Sequence, residues 1–255
     1  MIANYHTHTW RCNHASGAEE EYVKAALDRN FQVLGFADHT PYFFPGTYYS
    51  GFRMRPEQLK DYCDTVLSLR KKYAGQIQIP LGLELEYYPA YIGELLPFLK
   101  DHGIEYLLLG QHFVQNEINA HYSGNVTADR DILKQYAYQV CEAMQTGLFS
   151  YLAHPDLIHF VGDTKAYQDI MRPICYEAKS CGIPLEINML GIWTGRNYPN
   201  PLFWELAAEA GCSAVIGCDA HAPDHLHKLD IEKQAMALAD RFGLSVMETA
   251  PLLEI

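Results

Sequence analysis

Seven short apolar runs alternate with longer segments of helical periodicity along this chain. Short apolar runs are typical of buried strands, and apolar residues spaced three and four positions apart are typical of helices. The candidate strands cover residues 2–8, 32–38, 77–86, 106–112, 149–154, 184–189 and 214–219. The candidate helices cover residues 18–30, 56–73, 91–102, 128–147, 166–181, 201–211 and 229–242. This alternation predicts an α/β fold in which helices cover a parallel sheet.

The parallel sheet can be open and doubly wound, or it can be closed into a barrel. The first candidate strand ends in His6-Thr7-His8-Thr9 and lacks a GxGxxG turn, which disfavours a dinucleotide-binding fold. A length of 255 residues suits one α/β barrel, since such barrels often reach about 250 residues. No linker or change of composition divides the chain, so we expect a single domain over residues 1–255.

Net charge and cysteine content exclude several functions. The chain has 31 acidic against 19 basic residues, a formal net charge of -12, and no basic run. Electrostatic binding of nucleic acid needs clustered Lys and Arg, so we expect no nucleic-acid partner. The sequence shows no membrane span, no secretory signal and no CxxC spacing among its seven cysteines. We therefore expect a cytoplasmic protein with reduced thiols and no membrane partner, and the oligomeric state stays open.

Histidine and acidic residues recur where the candidate strands end. In parallel α/β barrels the side chains at the carboxyl ends of the strands converge on one face. Six of the seven candidate strands end in an imidazole or a carboxylate, which independent structural roles would explain poorly. With His14 in the loop after the first strand, the candidate metal ligands are His6, His8, His14, His39, Glu84, His112, His154, Asp219 and His221.

The spacing and number of these residues indicate more than one ion. His6 and His8 are two positions apart on a strand, so both rings point to the same side and can bind one ion. Catalytic metals take three or four protein ligands each, and a carboxylate can be shared, so the set suits two or three divalent ions. Mixed imidazole and carboxylate ligands favour zinc, with iron or manganese as alternatives, over magnesium or calcium.

The ordered motifs resemble the polymerase and histidinol phosphatase (PHP) family of metal-dependent phosphoesterases, in its histidinol-phosphate phosphatase branch. The matching pieces are His6-Thr7-His8-Thr9, Cys12-Asn13-His14-Ala15, Phe36-Ala37-Asp38-His39, Gly82-Leu83-Glu84-Leu85-Glu86-Tyr87, Gly110-Gln111-His112-Phe113, Ala153-His154-Pro155-Asp156 and Gly217-Cys218-Asp219-Ala220-His221. They span nearly the whole chain, and the ordered set is highly specific. The resemblance implies a single-domain, distorted seven-stranded (β/α) barrel of TIM-like type that holds three metal ions.

The resemblance also implies roles for individual residues. One ion would be held by His6, His8, Glu84 and Asp219, a second by Glu84, His112 and His154, and a third by His14, His39 and His221. The segment 191–199 resembles the arginine-bearing loop of the branch, so Arg196 would bind the substrate phosphate. Asp38 is a candidate general acid, and orientation of a ligand imidazole is its alternative role.

The function implied is hydrolysis of a small phosphate monoester, namely L-histidinol phosphate to L-histidinol and phosphate in histidine biosynthesis. A metal-bridging hydroxide would attack phosphorus, while the ions and Arg196 stabilise the charge on the phosphate oxygens. The alternatives are a phosphoesterase of this family acting on phosphotyrosine or a nucleotide monophosphate, and an amidohydrolase-like C–N hydrolase. Two-metal amidohydrolases often carry a bridging modified lysine at a strand end, which this chain lacks. A module that stores or senses metal is a further, non-enzymatic alternative, but it would leave Arg196 unexplained.

One long irregular connection, residues 40–55, bears on substrate choice. It contains six aromatic residues, two prolines and two glycines, and this aromatic content argues against disorder. The segment can form a pocket wall over an aromatic or cationic leaving group, or it can be a packed lid without selectivity. Arg53 and Arg55 are possible phosphate contacts, although solvated surface positions are the favoured interpretation.

Overall fold

The computed structural model describes residues 1–118 and 120–255. The strands in this part of the chain are β1 (Ala3–Asn4), β2 (Val33–Leu34), β3 (Phe36–His39), β4 (Leu81–Leu85), β5 (Tyr106–Leu109), β6 (Phe149–Leu152), β7 (Leu185–Asn188), β8 (Ser213–Gly217) and β9 (Ser245–Val246). The α-helices are α1 (Glu19–Asp28), α2 (Leu59–Lys72), α3 (Pro89–Asp101), α4 (Arg130–Gln145), α5 (Thr164–Cys181), α6 (Met189–Thr194), α7 (Pro201–Ala210) and α8 (Leu229–Phe242).

The strands form a parallel barrel. Strands β3 to β9 pair in chain order, and every pair is parallel. The segment after β1 closes the ring, because the amide of Ala37 donates to the carbonyl of Thr7 and the amide of His8 donates to the carbonyl of Ala220, each at 2.9 Å. The predicted α/β barrel is therefore confirmed. Its second strand is divided into β2 and β3, and β9 pairs only with the first residues of β8.

Several strands are shorter than the sequence predicted. The expected strand 2–8 is reduced to β1, and the expected strand 32–38 is interrupted at Gly35, where an added Cβ would lie 3.1 Å from the Cα of Tyr5. At the carboxyl ends, His154 and Asp219 have φ angles of 29° and 48°. Left-handed backbone cannot continue a strand, so these residues leave the sheet and turn their side chains over the barrel end.

The predicted helices are all present with small shifts in their ends, and one further α-helix appears in the described part of the chain. Segment 191–199 was predicted to be a loop, but its first residues belong to α6. The side chain of Asn188 caps this helix by accepting a hydrogen bond from the amide of Gly191 at 3.0 Å. The capping interaction explains why a helix begins directly at the end of β7. Residues 40–55 are irregular, as predicted.

The barrel is filled by apolar side chains below its carboxyl end. Tyr5, Tyr106, Leu108, Tyr151 and Val215 form the inner layer, while a larger apolar layer lies between the strands and the helices. The polar residues at the strand ends therefore sit on a closed, apolar base. Across residues 1–118 and 120–255, no helix has both the length and the hydropathy to cross a membrane.

Candidate metal centre

The nine candidate ligands converge at the carboxyl end of the barrel. Glu84, at the end of β4, is the central carboxylate, and its oxygens lie within 3.6 Å of ring nitrogens from five histidines. These histidines are His6, His8, His39, His112 and His154. The strand-end pattern therefore located a real cluster, in which residues far apart in sequence meet around one carboxylate.

Asp219 and the remaining histidines complete the cluster on its other side. Oδ1 of Asp219 lies 3.2 Å from Nε2 of His8 and 3.4 Å from Nδ1 of His221. Nε2 of His221 lies 3.0 Å from Nε2 of His14. Several sets of donor atoms within 4.8 Å of one another could each hold an ion, and they include His6–Glu84–His154, His6–His8–Asp219, His8–His39–Glu84 and His14–His39–His221.

The donor atoms fit a bound cation. Among the described residues, Nε2 of His6, Nε2 of His8, Nδ1 of His39, Oε2 of Glu84 and Oδ1 of Asp219 are buried without a hydrogen-bond partner. A buried polar atom without a partner costs about 1–3 kcal/mol. Five such atoms around one point would be strongly unfavourable in a purely structural core, whereas divalent metal ions would engage all of them.

The electrostatics of the cluster keep its carboxylates charged. Burial alone would raise the pKa of Glu84 and Asp219, but the surrounding imidazoles hold both pKa values well below the ordinary range. Burial and the neighbouring charge of His8 lower the pKa values of His39 and His221 well below that of free histidine. These two imidazoles are therefore neutral at pH 7, which is the form that binds a metal.

Three of the imidazoles are each oriented by a carboxylate, which contacts the ring nitrogen that faces away from the cluster. Nδ1 of His6 lies 2.8 Å from Oε1 of Glu186, and Nδ1 of His112 lies 2.8 Å from Oε1 of Glu86. Each carboxylate engages Nδ1, so the Nε2 atom of its imidazole points into the cluster. Carboxylates in this position fix ring orientation and tautomer in metal sites.

Asp38 is the third of these carboxylates. Its side chain is fully buried, and it accepts hydrogen bonds from the backbone amide of Thr9 at 3.2 Å and from the Thr9 hydroxyl. Oδ1 of Asp38 lies 3.4 Å from Nδ1 of His8. Asp38 is not among the residues that line the cavity over the cluster. Of its two predicted roles, this position favours orientation of the His8 imidazole over proton donation to a substrate.

Glu186 was not predicted as a functional residue, and the prediction for Arg53 was wrong. Glu186 lies on β7 within an apolar run, and its two-residue spacing from Asn188 was the available signal that it faces the barrel interior. Arg53 was expected to be solvated, but it is 1% exposed and pairs with Glu86 and Glu117. Its environment depends on long-range packing, which has no local sequence signal. Arg55 is exposed, as expected.

A cavity of about 550 Å³ lies over the cluster. Seven of the nine candidate ligands line it, and its walls include Phe52, Phe113, Tyr122, Trp193 and Tyr198. Segment 40–55 lies partly at the cavity and partly in the hydrophobic core. Gly51 and Phe52 line the cavity, whereas the ring of Tyr42 is buried 5.1 Å from that of Tyr88.

Arg196 lies at the rim of this cavity. Its Nη1 donates a hydrogen bond to the hydroxyl of Tyr198 at 2.9 Å. The following residue anchors the loop, because Nδ2 of Asn197 donates to the carbonyl oxygens of Asp156 and Leu157 at 3.2 and 3.0 Å. Among the described residues that line the cavity, Arg196 is the one Lys or Arg. Its guanidinium therefore provides a positive charge beside the space over the cluster.

Comparison with known proteins identifies relatives of this chain. The PHP domain model matches residues 4–189. A protein of Deinococcus radiodurans named "Probable histidinol-phosphatase" is 30% identical over 234 residues, covering 87% of each chain. A "Histidinol-phosphatase" of Bacillus subtilis is 30% identical over 118 residues, or 44% of each chain. The fold matches the crystal structure of histidinol phosphate phosphatase from Lactococcus lactis with a TM-score of 0.76 at 16% identity, over 98% of this chain and 96% of the other.

Proposed function

The chain belongs to the PHP domain family, and we propose that it is a metal-dependent histidinol-phosphatase that hydrolyses L-histidinol phosphate to L-histidinol and phosphate. The observation that carries the proposal is the set of unpartnered, buried nitrogen and oxygen atoms at the base of a cavity whose rim bears Arg196. The names of the relatives support the same activity. The Lactococcus lactis protein, which shares the fold, was crystallised with zinc, L-histidinol and phosphate.

We assign the nine candidate ligands to two or three divalent ions, with zinc as the expected metal. The first set is His6, His8, Glu84 and Asp219, the second is Glu84, His112 and His154, and the third is His14, His39 and His221. Glu84 serves two sets because its oxygens face imidazoles on both sides of the cluster. When bound, such ions supply Lewis acidity and lower the pKa of coordinated water.

The residues of the chain bind and orient the phosphate ester. The planar guanidinium of Arg196 is suited to two hydrogen bonds with phosphate oxygens, and it offsets the charge that develops on them. Its present partner, the Tyr198 hydroxyl, keeps it at the cavity rim. Glu186, Asp38 and Glu86 hold the ligand imidazoles in fixed orientations, so the site is organised before substrate arrives.

The aromatic walls suit the leaving group. A volume of about 550 Å³ is within the usual range for small-molecule sites. Phe52, Phe113 and Trp193 line the cavity, and aromatic rings pack favourably against an imidazole and attract an ammonium group. We therefore propose that the imidazole and ammonium of L-histidinol contact these aromatic walls, while the phosphate lies between Arg196 and the cluster.

Phosphate release by the purified protein, with its metal content measured, tests the proposal. L-histidinol phosphate is compared with p-nitrophenyl phosphate, AMP and phosphotyrosine as kcat/KM. The expected result is a preference of several orders of magnitude for L-histidinol phosphate, abolished by Glu84→Gln. Similar low rates on all four compounds would retain a metal-dependent phosphoesterase but reject the histidinol phosphate assignment. Absence of hydrolysis by the fully metallated protein would reject both.

A further inference from the structure

A buried charge network joins the irregular segment 40–55 to the metal centre. Its members, in order, are Glu117, Arg53, Glu86 and His112, and the exposed side chain of Tyr48 donates to Glu117 at the outer end. We infer that Arg53 is a positioning residue for the metal ligand His112, acting through the carboxylate of Glu86. The inference rests on the metal centre proposed above, and it assigns a function to a residue that lies outside the cavity.

The guanidinium of Arg53 is fully engaged. Nη1 donates to Oε2 of Glu86 at 3.0 Å and to the carbonyl of Thr40 at 2.8 Å. Nη2 donates to Oε1 of Glu86 at 3.0 Å and to Oε2 of Glu117 at 2.6 Å. Two parallel hydrogen bonds from one guanidinium fix the plane of the Glu86 carboxylate, which a lysine ammonium could not do.

Glu86 passes this constraint to His112. Its Oε1 lies 2.8 Å from Nδ1 of His112, and Nε2 of the same ring lies 3.5 Å from Oε1 of Glu84. The ring therefore has one nitrogen bound to Glu86 and the other directed at the cluster. If the Glu86 carboxylate rotated, the plane of the His112 ring would no longer be fixed.

The energetics favour a geometric role for the network. Arg53, Glu86 and Glu117 are each at most 5% exposed, and desolvation offsets much of the attraction in buried ion pairs, so such pairs add little net stability. By contrast, loss of a group that orients a metal ligand changes metal affinity about 10–100-fold. Removal of the Arg53 charge would leave Glu86 and Glu117 buried and unpaired, so only a substitution that keeps the charge isolates the geometric effect of Arg53 on the metal centre.

The same segment also shapes the cavity. Phe52, next to Arg53 in the chain, lines the cavity, and its ring centroid lies 5.0 Å from that of His39 and 5.9 Å from that of His112. The guanidinium of Arg53 also lies over this ring, 4.3 Å from its centroid. One buried side chain therefore fixes both an aromatic wall of the substrate cavity and a metal ligand.

Arg53→Lys tests the inference, because it keeps the charge and removes the two parallel hydrogen bonds. Arg55→Lys is the matched control, since Arg55 is exposed in the same segment and lies over the ring of Tyr49 at 3.8 Å. Zinc affinity is measured on the full chain by competition with a chromophoric chelator, and cobalt-substituted protein is examined by absorption spectroscopy. We expect Arg53→Lys to weaken the affinity for at least one zinc ion by about tenfold or more and to alter the cobalt spectrum. Arg55→Lys should match the unmodified protein.

The outcomes separate this inference from the proposed function. In one outcome, Arg53→Lys lowers the melting temperature but leaves the zinc affinity and the cobalt spectrum as they are in the unmodified protein. That result would make Arg53 a structural residue and overturn the inference, while the proposed function would stand. Failure of the unmodified protein to bind zinc, cobalt, iron or manganese would overturn both. If Arg53→Lys does not fold, Glu117→Gln is the second variant, because it removes the charge that pairs with Arg53 and keeps the size of the side chain. It should also weaken zinc binding, and unchanged binding would overturn the inference.

Discussion

Nδ1 of His6 lies 2.8 Å from Oε1 of Glu186, so a carboxylate on β7 orients an imidazole that lies just beyond β1. Oε2 of Glu186 accepts the backbone amide of His154 at 3.0 Å. Nδ2 of Asn188 donates to the same oxygen at 2.9 Å and to Oδ2 of Asp219 at 3.1 Å. Through these contacts, one buried carboxylate connects three residues that we propose as metal ligands.

Glu186→Gln should therefore weaken metal binding. The amide keeps the size of the side chain but removes the negative charge behind His6, which makes the imidazole a poorer ligand. We expect the zinc dissociation constant to rise about 10–100-fold, measured by chelator competition. Glu205→Gln, an exposed position on α7, is the control and should leave the constant unchanged. Equal affinities in the two variants would contradict the role given to Glu186.

Two glycines make room for the buried carboxylates. A Cβ at Gly110 would overlap Oε1 of Glu84 and lie 2.6 Å from its Cδ. A Cβ at Gly217 would overlap Oε1 of Glu186 in the same way. Gly110 directly follows β5, which pairs with the strand that bears Glu84. Gly217 ends β8, which pairs with the strand that bears Glu186. A side chain at either position would push a carboxylate out of the cluster.

Gly110→Ala should displace Glu84 and release bound metal. Since Glu84 faces five imidazoles, we expect loss of at least one equivalent of metal after dialysis, measured by elemental analysis, together with a large fall in kcat. Gly93→Ala is the control, because Gly93 is exposed in α3 with no atom within 4 Å of an added Cβ. That variant should keep its metal and gain about 0.5–1 kcal/mol of stability. Full metal content in Gly110→Ala would disprove the displacement.

The sequence predicted the cluster better than it predicted the support around it. Glu84 and Asp219 could be identified because parallel strands place their carboxyl ends on one face, so position along a strand is enough to bring ligands together. Glu186 was missed, because its local signal is only the two-residue spacing from Asn188 and its partner is His6, 180 residues away. Arg53 was misjudged for the same reason, since its burial depends on Glu86 and Glu117.

The ends of the strands and the position of α6 were also difficult to predict from sequence. His154 and Asp219 have left-handed backbone angles, which cost about 1–3 kcal/mol when held in place and which apolar periodicity does not reveal. The packing around the cluster imposes these angles. Helix α6 begins at Asn188, whose amide side chain both caps the helix and contacts Asp219. Local patterns fixed the order of the elements, whereas contacts at the metal centre determined where they end.

Removal of metal should destabilise the protein. Ions that bind only the folded state stabilise it by about 4 kcal/mol when present at 1,000 times their dissociation constant. For a chain of this size, that corresponds to a fall in Tm of about 10 °C on chelation. Differential scanning calorimetry before and after treatment with a chelator measures the change, and added zinc should reverse it. An unchanged Tm in protein shown to have lost its metal would argue against ligation by the buried cluster.

Arg196→Ala should impair catalysis without loss of metal. Arg196 contacts Tyr198 and none of the proposed ligands, so the cluster should remain intact. Loss of a group that stabilises transition-state charge typically lowers the rate about 10²–10³-fold, and we expect kcat/KM for L-histidinol phosphate to fall by this factor. Arg241→Ala, an exposed position on α8, is the control. Unchanged kinetics in Arg196→Ala would remove Arg196 from the mechanism.

Glu232 should make stability depend on pH at a distance from the metal centre. Burial alone would raise its pKa, but hydrogen bonds from the N-terminal ammonium of Met1 and from Arg29, at 2.6 Å, lower it. A carboxyl whose folded pKa lies below its unfolded value stabilises the protein above the unfolded pKa of about 4.3. This contribution is lost as the pH falls through the folded pKa.

Glu232→Gln should accordingly lower the free energy of unfolding by about 1–2 kcal/mol at pH 7, with a smaller difference from the unmodified protein at pH 3.5. Denaturant unfolding of metal-free protein at both pH values measures this, since metal release then makes no contribution. Glu248→Gln, at an exposed position near the C-terminal end of the chain, should have little effect at either pH. A difference of the same size at pH 7 and pH 3.5 would show that Glu232 contributes through packing and not through its charge.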